Sequence, residues 1–299
     1  MNKKEYYKFV TPYLKEYDYD SIHFEQDYHY QGQLGAIYKK EKTILRVWSP
    51  VVKNIEILSY GFWQKDQAIP DQPQTVYPMQ KKKRGIWECQ IKQDLHYFIY
   101  RYRVTYFDGT QQICLDPYCE AATINGGHSV VLDLEKTNPA NWNKKRKTFT
   151  HPIDAIIYEA SIRDLTSFAK TNVKHKGKYL GLAEKDRKTE NNLPVGLDYI
   201  ASLGITHLQL LPFYDFETVD ESKPWANYNW GYDPANYNVP EGSFAVDPYD
   251  PLSRIKELKT MIQALHDHDI RLIMDVVYNH VYNEYTHPFT VLVPGYYFR

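Results

Sequence analysis

Apolar and polar positions follow two different rhythms along this chain, and the change falls near its middle. Between residues 40 and 135 the apolar runs are short and alternate one by one with polar residues. Residues 43–50 (TILRVWSP), 54–58 and 85–91 read as short strands bounded by Pro, Gly and polar residues. The clearest case is Tyr97–Tyr106. Phe98, Tyr100, Tyr102, Val104 and Tyr106 fall on one face, Arg101, Arg103 and Thr105 on the other, a period of two. Asp108-Gly109 then supplies a hairpin turn, and residues 111–115 return. No long helical pattern interrupts this region, so it predicts an all-β, immunoglobulin-like sandwich over residues 40–137. Residues 1–39 form a charged and aromatic lead-in with a short helix near Glu5–Tyr17.

Residues 138–150 (NPANWNKKRKTFT) lack any period and carry Pro139 and a basic cluster, the pattern of a linker. Beyond it, strands and helices alternate. Residues 155–158 (AIIY) form a short apolar strand, and 162–192 a long polar excursion. Leu197, Ile200, Ala201 and Leu203 have helical spacing, with Gly204 at the C-terminal cap. Thr206–Leu211 is the next strand, stopped by Pro212, and a long loop follows over 213–249. Asp250-Pro251 opens a helix, Asp as cap and Pro in the first turn. Its stripe is Leu252, Ile255, Leu258, Ile262 and Leu265. Arg271–Val277 is a third strand. Strands joined by crossover helices pair in parallel. Long loops after strands and short ones after helices predict the first part, about three strands, of a TIM-type (β/α)8 barrel over residues 151–299. A doubly wound sheet is the alternative, but no Gly-rich dinucleotide motif follows the first strand.

In such folds chemistry gathers past the C-terminal strand ends. There stand Asp275, Asn279 and His280, in RLIMDVVYNH (271–280), after an apolar run. Upstream, YNWGYDP (228–234) crowds aromatic and amide side chains onto a loop punctuated by Gly and Pro.

Composition sharpens this picture in one respect. The chain has 28 Tyr, 6 Trp and 12 Phe in 299 residues. Rings with a polar edge suit the faces of sugars, although aromatics also fill sheet faces. Charge excludes rather than suggests. Lys and Arg number 36 against 37 Asp and Glu, which leaves no electrostatic footprint for nucleic acid or an anionic membrane. The run Lys81–Arg84 reads as a solvated hairpin tip. Cys89, Cys114 and Cys119 lack metal-ligand spacing and are expected as reduced residues. His266 and His268, two apart near a helix end, point to different faces and are not a ligand pair. No signal-peptide core and no run near the ~20 apolar residues of a membrane span occurs, so a cytoplasmic location is expected. No cofactor and no metal is assigned.

The motifs resemble those of type I pullulanases, in the α-amylase superfamily (glycoside hydrolase family 13). The resemblance is dense from residue 152 on: AIIYEASIRDLT, GLDYIASLGITHLQLLP, YNWGYDPANYNVPEGSF, DVVYNH and VPGYYFR. LRVWSP and the DPY, NGG, VVLDL and NPANW segments resemble that family's N-terminal module, of the carbohydrate-binding-module family 48 type. The resemblance implies hydrolysis of α-1,6-glucosidic branch links in pullulan, starch or glycogen, with retention. It implies that Tyr232 stacks on the sugar beside the cleaved bond and that His280 meets its primary hydroxyl. Asp275 would orient an arginine, Asn279 would fix the loop, and Trp230 and Asp233 would line the cleft. One departure is Ser161, where the family usually has His. A branching or amylase-like relative is the alternative, which YNWGYDP disfavours.

A retaining glycosidase needs two carboxyl groups about 5–5.5 Å apart. By the resemblance, both belong to later barrel strands, past Arg299. The 299-residue chain is therefore expected to lack its nucleophile and acid/base. Two readings follow: the N-terminal portion of a pullulanase, inactive without a complementing C-terminal chain, or a non-catalytic α-glucan-binding protein.

Overall fold

A computed structural model describes residues 1–142 and 149–298. The chain divides into two compact units, Met1–Asp133 with the segment from His280 on, and Leu134–Asn279.

The first unit opens with α1 (Lys3–Glu16) and α2 (Ile22–Tyr28). Asn2 caps α1 reciprocally: its side chain accepts from the Glu5 amide while Glu5 accepts from the Asn2 amide. The strands are β1 (Gly35–Lys39), β2 (Lys42–Trp48), β3 (Asn54–Phe62), β4 (Thr75–Pro78) and β5 (Gln80–Lys81). They continue as β6 (Ile86–Ile91), β7 (Phe98–Thr105), β8 (Gln111–Cys114) and β9 (Ser129–Val131). One antiparallel sheet runs β1-β2-β6-β5, the other β4-β3-β7-β8, with β9 added to β7. Thus β1 begins within the stretch read as lead-in. Ala36 and Tyr38 lie across from Leu45 and Thr43 of β2, a pairing that no turn signal announced.

The two-residue period of β7 is realised as burial. Phe98, Tyr100, Tyr102 and Val104 are buried, while Arg101 and Arg103 are half-exposed, and Arg103 bonds Glu56 on β3 at 2.8 Å. Gly109 takes φ +86° at the hairpin turn, where the Gly109 amide bonds the Tyr106 carbonyl at 3.0 Å. Asp116 sits fully buried in this core. It accepts hydrogen bonds from the Tyr100 and Tyr102 hydroxyls at 2.7 and 3.1 Å and from the Tyr118 amide at 2.9 Å. All three cysteines are free thiols.

The second unit runs β10 (Ile157–Ala160), α3 (Asp164–Ser167), α4 (Tyr179–Ala183), α5 (Leu197–Ser202), β11 (His207–Leu210), β12 (Tyr214–Phe216), β13 (Pro234–Pro240), α6 (Pro251–His266) and β14 (Arg271–Met274). β10, β11 and β14 form a parallel sheet in that order, Ile157 level with His207 and Arg271. This is the three-strand start of a barrel expected from the sequence. Asp250 caps α6 through the Leu252 amide at 3.0 Å, with Pro251 in the first turn. Its buried face differs from the apolar stripe: Ile255, Leu258 and Leu265 are buried, Leu252 and Ile262 only partly, and Arg254 and Met261 are fully covered.

Two loops carry more order than their polarity implied. The excursion over 162–192 contains α3 and α4, and Tyr179 is fully buried, its hydroxyl bonding the Glu241 carbonyl at 3.0 Å. The loop over 213–249 contains the β12–β13 hairpin. Its irregular register and the Pro residues at both ends of β13 hide any two-residue period. Of the expected linker, residues 143–148 lie outside the described residues. Its first part is fastened to α6: Lys259 Nζ bonds Thr137 Oγ1 and Asn138 Oδ1 at 2.7 Å each and lies over the Trp142 ring.

The last segment returns to the first unit and carries α7 (Pro288–Leu292). The sequence pattern groups it with the barrel. Its packing is set by Val291, Leu292 and Val293, which join the core of Val51, Val52 and Tyr106. The carbonyls of Val291, Leu292 and Pro294 are also taken up there: Tyr106 Oη donates to Val291 O at 2.8 Å, Ser49 Oγ to Leu292 O at 2.6 Å and Tyr19 Oη to Pro294 O at 2.9 Å.

Candidate functional site

The site of the second unit is built on one constrained turn. Gly231 takes φ +89°, and a Cβ there would come 2.6 Å from the Pro212 carbonyl and 3.2 Å from the Phe216 ring. Only glycine lets the 228–234 loop press this closely on the strand end. The turn is held from within. Thr218 Oγ1 donates to Asp233 Oδ2 at 2.8 Å and accepts from Asn229 Nδ2 at 2.7 Å, which also donates to Asp233 Oδ1 at 2.8 Å. The Gly231 amide closes on Asn229 Oδ1 at 2.7 Å.

This lattice presents Tyr232. Its hydroxyl donates to Asp275 Oδ2 at 2.8 Å, just past the end of β14, where the Asp275 amide still bonds the Leu210 carbonyl at 3.1 Å. Burial, then the Asp275 bond, pushes the Tyr232 hydroxyl up to about 12, so it stays a donor throughout the neutral range. The fold therefore brings Tyr232 and Asp275 together. Asp233 stands in the same loop with both carboxylate oxygens engaged inside it, which gives it a loop-fixing place. Trp230 is 62% exposed beside them. Asn279 is exposed at the end of the second unit, and His280 is exposed where the segment of the first unit begins.

Arg163 carries no functional signal in the sequence, yet the loop hangs on it. Its guanidinium donates to the Asn227 and Pro224 carbonyls at 2.6 and 3.1 Å and lies 4.5 Å from the Trp225 ring and 5.3 Å from that of Tyr228. Tyr228 Oη donates to Asp164 Oδ2 at 2.6 Å. Nothing in the spacing of Arg163-Asp164 ties the pair to aromatics about sixty residues on. Ser161, at the departure from the family pattern, accepts the Asp164 amide at 3.4 Å.

A second constellation also escaped the sequence. Carboxyl oxygens of Asp215, Glu221 and Glu241 lie within 4.8 Å of one another, all buried. A cation is already supplied by the protein. Arg254, fully buried, bonds both Glu221 oxygens at 2.9 and 3.0 Å and the carbonyls of Pro240 and Pro248. Glu241 accepts the Phe216 and Ser243 amides, and Asp215 accepts from Asn236 Nδ2. Three acids facing one guanidinium cannot all ionise without water. Burial first, then Glu221, raises Asp215 to about 7, and the same two causes raise Glu241 well above its ordinary range. Burial alone would lower Arg254; the Glu221 and Asp215 carboxyls outweigh it and hold the guanidinium charged. The chemistry of this donor set is that of a buried ion pair with a retained proton. The acids are also out of reach of a polymeric substrate.

The chain thus carries a sandwich and the beginning of a (β/α)8-type barrel whose strand ends hold a tyrosine–aspartate pair, the make-up of the first part of a modular barrel protein. Residues 33–119 match carbohydrate-binding module 48 (isoamylase N-terminal domain), and residues 165–290 match the alpha amylase catalytic domain. The pullulanase of Bacillus subtilis is 39% identical over 92% of this chain and 37% of that protein. The pullulanase of Paenibacillus barengoltzii, solved in complex with maltohexaose and alpha-cyclodextrin, is 42% identical with TM-score 0.88, over 97% of this chain and 44% of that one. The pullulanase of Anoxybacillus, solved with maltotetraose, is also 42% identical, with TM-score 0.86, over 94% of this chain and 40% of that one. The chain belongs to the pullulanase type of glycoside hydrolase family 13, and it spans less than half the length of these relatives, matching their N-terminal portion.

Proposed function

We propose that the second unit forms one wall of an α-glucan cleft and serves hydrolysis of α-1,6 branch links in pullulan, starch or glycogen. The observation that carries this is the Tyr232–Asp275 pair, 2.8 Å apart on the glycine-tight loop. A Tyr face covers pyranose C–H groups, and a hydroxyl already bonded to a carboxylate keeps the ring in one orientation. Trp230 and Asn279, both exposed on the second unit, complete the wall in this reading. The solved relatives bound to maltotetraose and maltohexaose support the ligand class.

Bond cleavage needs two further carboxyl groups facing the sugar. Among the described residues the three converging acids are buried, Glu221 paired with Arg254 and Asp215 and Glu241 engaged by Asn236 and by the Phe216 and Ser243 amides. In this reading residues 1–299 bind glucan without turnover, and turnover requires the remaining strands of the barrel. The open sheet supports that requirement. β11 has Leu208 and Leu210 fully buried, but every residue of β14 is only half-buried and Ile157 of β10 is 52% exposed, whereas parallel strands are normally covered on both faces. Three free thiols fit a reducing compartment, and the cytoplasm is the proposed location.

The test is titration of the purified chain with maltotriose alongside a reducing-end assay on pullulan. Saturable binding that Tyr232→Ala weakens about tenfold, without released reducing ends, is expected. Release of reducing ends by the homogeneous chain, or binding indifferent to Tyr232→Ala, overturns the reading.

A further inference from the structure

The first unit contains a cleft of about 470 Å³ lined by none of the residues of the Tyr232 loop. Its size falls within the range of ligand sites, about 300–1,000 Å³. Ten of its thirteen lining residues lie outside residues 33–119, so it is not the face of the matched module. It is formed where α2 and the Asp20–Ser21 turn meet the end of β2, the Tyr118 turn and the Tyr296-Tyr297 pair of the returning segment.

The floor and the rim differ in chemistry. Trp48 is buried at the base, its indole Nε1 donating to the Tyr28 carbonyl at 3.0 Å and the Arg84 carbonyl at 3.1 Å. These two bonds fix the ring. Tyr28, Tyr118 and Tyr297 stand around it, half-buried or exposed, and the Tyr118 and Tyr297 hydroxyls are hydrogen-bonded to each other. Asp20 and Glu25 are exposed at the rim. An anionic ligand is disfavoured, because two carboxylates guard the opening and neither Lys nor Arg is among the residues that line it. A purely apolar ligand would strip water from the tyrosine hydroxyls without replacing it. Flat aromatic faces below and acceptor-only carboxylates above suit a neutral ring with apolar faces and hydroxyl donors at its edge.

We infer that this cleft is a saccharide-binding site, independent of the Tyr232 cleft, with Trp48 and Tyr28 as its base and Asp20 and Glu25 as acceptors for sugar hydroxyls. It rests on none of the residues assigned to the proposed glucan wall, and either reading can fail without the other.

The experiment uses the full 299-residue chain labelled with 5-fluorotryptophan, whose 6 Trp give separate ¹⁹F resonances. Trp48→Phe and Trp230→Phe assign one signal in each unit. Titration with maltotriose is expected to move the Trp48 signal saturably. Glu25→Gln, an exposed change that leaves the fold intact, should raise the half-saturation concentration about fivefold, and Tyr28→Ala about tenfold. Tyr232→Ala should leave the Trp48 response as it is. A Trp48 signal that stays fixed while Trp230 moves overturns the inference and leaves the glucan wall standing. A Trp48 response equal in wild type, Glu25→Gln and Tyr28→Ala also overturns it. Movement of Trp48 alone supports it and counts against the glucan wall.

Discussion

At the scale of single residues, the proposed glucan wall depends on one glycine and one hydrogen bond. Gly231→Ala combines a left-handed backbone with a contact of 2.6 Å to Pro212 O, and the ring of Tyr232 follows directly. The substitution should cost at least about 2 kcal/mol and lower the melting temperature by several degrees. Tyr232→Phe keeps the ring but frees Asp275, so maltotriose affinity should fall less than with Tyr232→Ala; calorimetric titration of the two side by side checks this. The buried acids give a pH prediction. Asp215 has a folded-state value of about 7 against an ordinary 3.8, so the native state holds a proton that the unfolded chain has lost across that interval. Its stabilising contribution is full below pH 3.8 and fades as pH rises through about 7. Between pH 5 and 8 the wild type should lose more melting temperature than Asp215→Asn, which has no proton to release. Equal losses in the two would show that Asp215 does not titrate there. Asp233 was legible only in part and Arg163 not at all: the motif placed the first, but its engagement with Thr218, and the hold of Arg163 on Trp225, depend on contacts between residues far apart in sequence.

At the scale of elements, those that appeared in the sequence are the ones whose own residues specify them. β7 shows a two-residue period because one face meets the core, and α6 begins at Asp250-Pro251 because the cap is local. Asp250→Ala should cost about 1 kcal/mol, read from denaturant melts. The elements that did not appear are set by partners. β1 exists because β2 is beside it; α4 because Tyr179 reaches the Glu241 carbonyl; the β12–β13 hairpin because Glu241 collects the Phe216 amide. The buried face of α6 drifted from the apolar stripe for the same reason: Arg254 is drawn inward by Glu221. Arg254→Met leaves that carboxylate buried and unpaired, at a cost of about 3–5 kcal/mol, and adding Glu221→Gln should recover part of the loss. Chemical denaturation of the single and double variants measures it.

At the scale of the molecule, the chain folds back. The segment from His280 on supplies Val291, Leu292 and Val293 to the core of the first unit and satisfies three buried hydroxyls there. A chain shortened to residues 1–279 should therefore lose stability in the sandwich, not only in the barrel half, and show an earlier first transition on heating. An unchanged transition would mean that the sandwich core closes without it. The three parallel strands, with one face open, are expected to bind hydrophobic dyes more strongly than a closed barrel of the same family.

The sequence by itself determined the main strands of the sandwich, the three parallel strands with α5 and α6 between them, the change from antiparallel to parallel grammar, and the loop on which Tyr232 sits, because periodicity, caps and glycine turns are encoded within a few residues of where they act. It did not determine that the final segment packs on the first unit, that Arg254 closes a buried acid cluster, or that α2 and Tyr297 enclose a cleft with Trp48. Those depend on burial and on charges brought together from distant positions, and a buried carboxyl or a shared cavity has no local pattern to announce it.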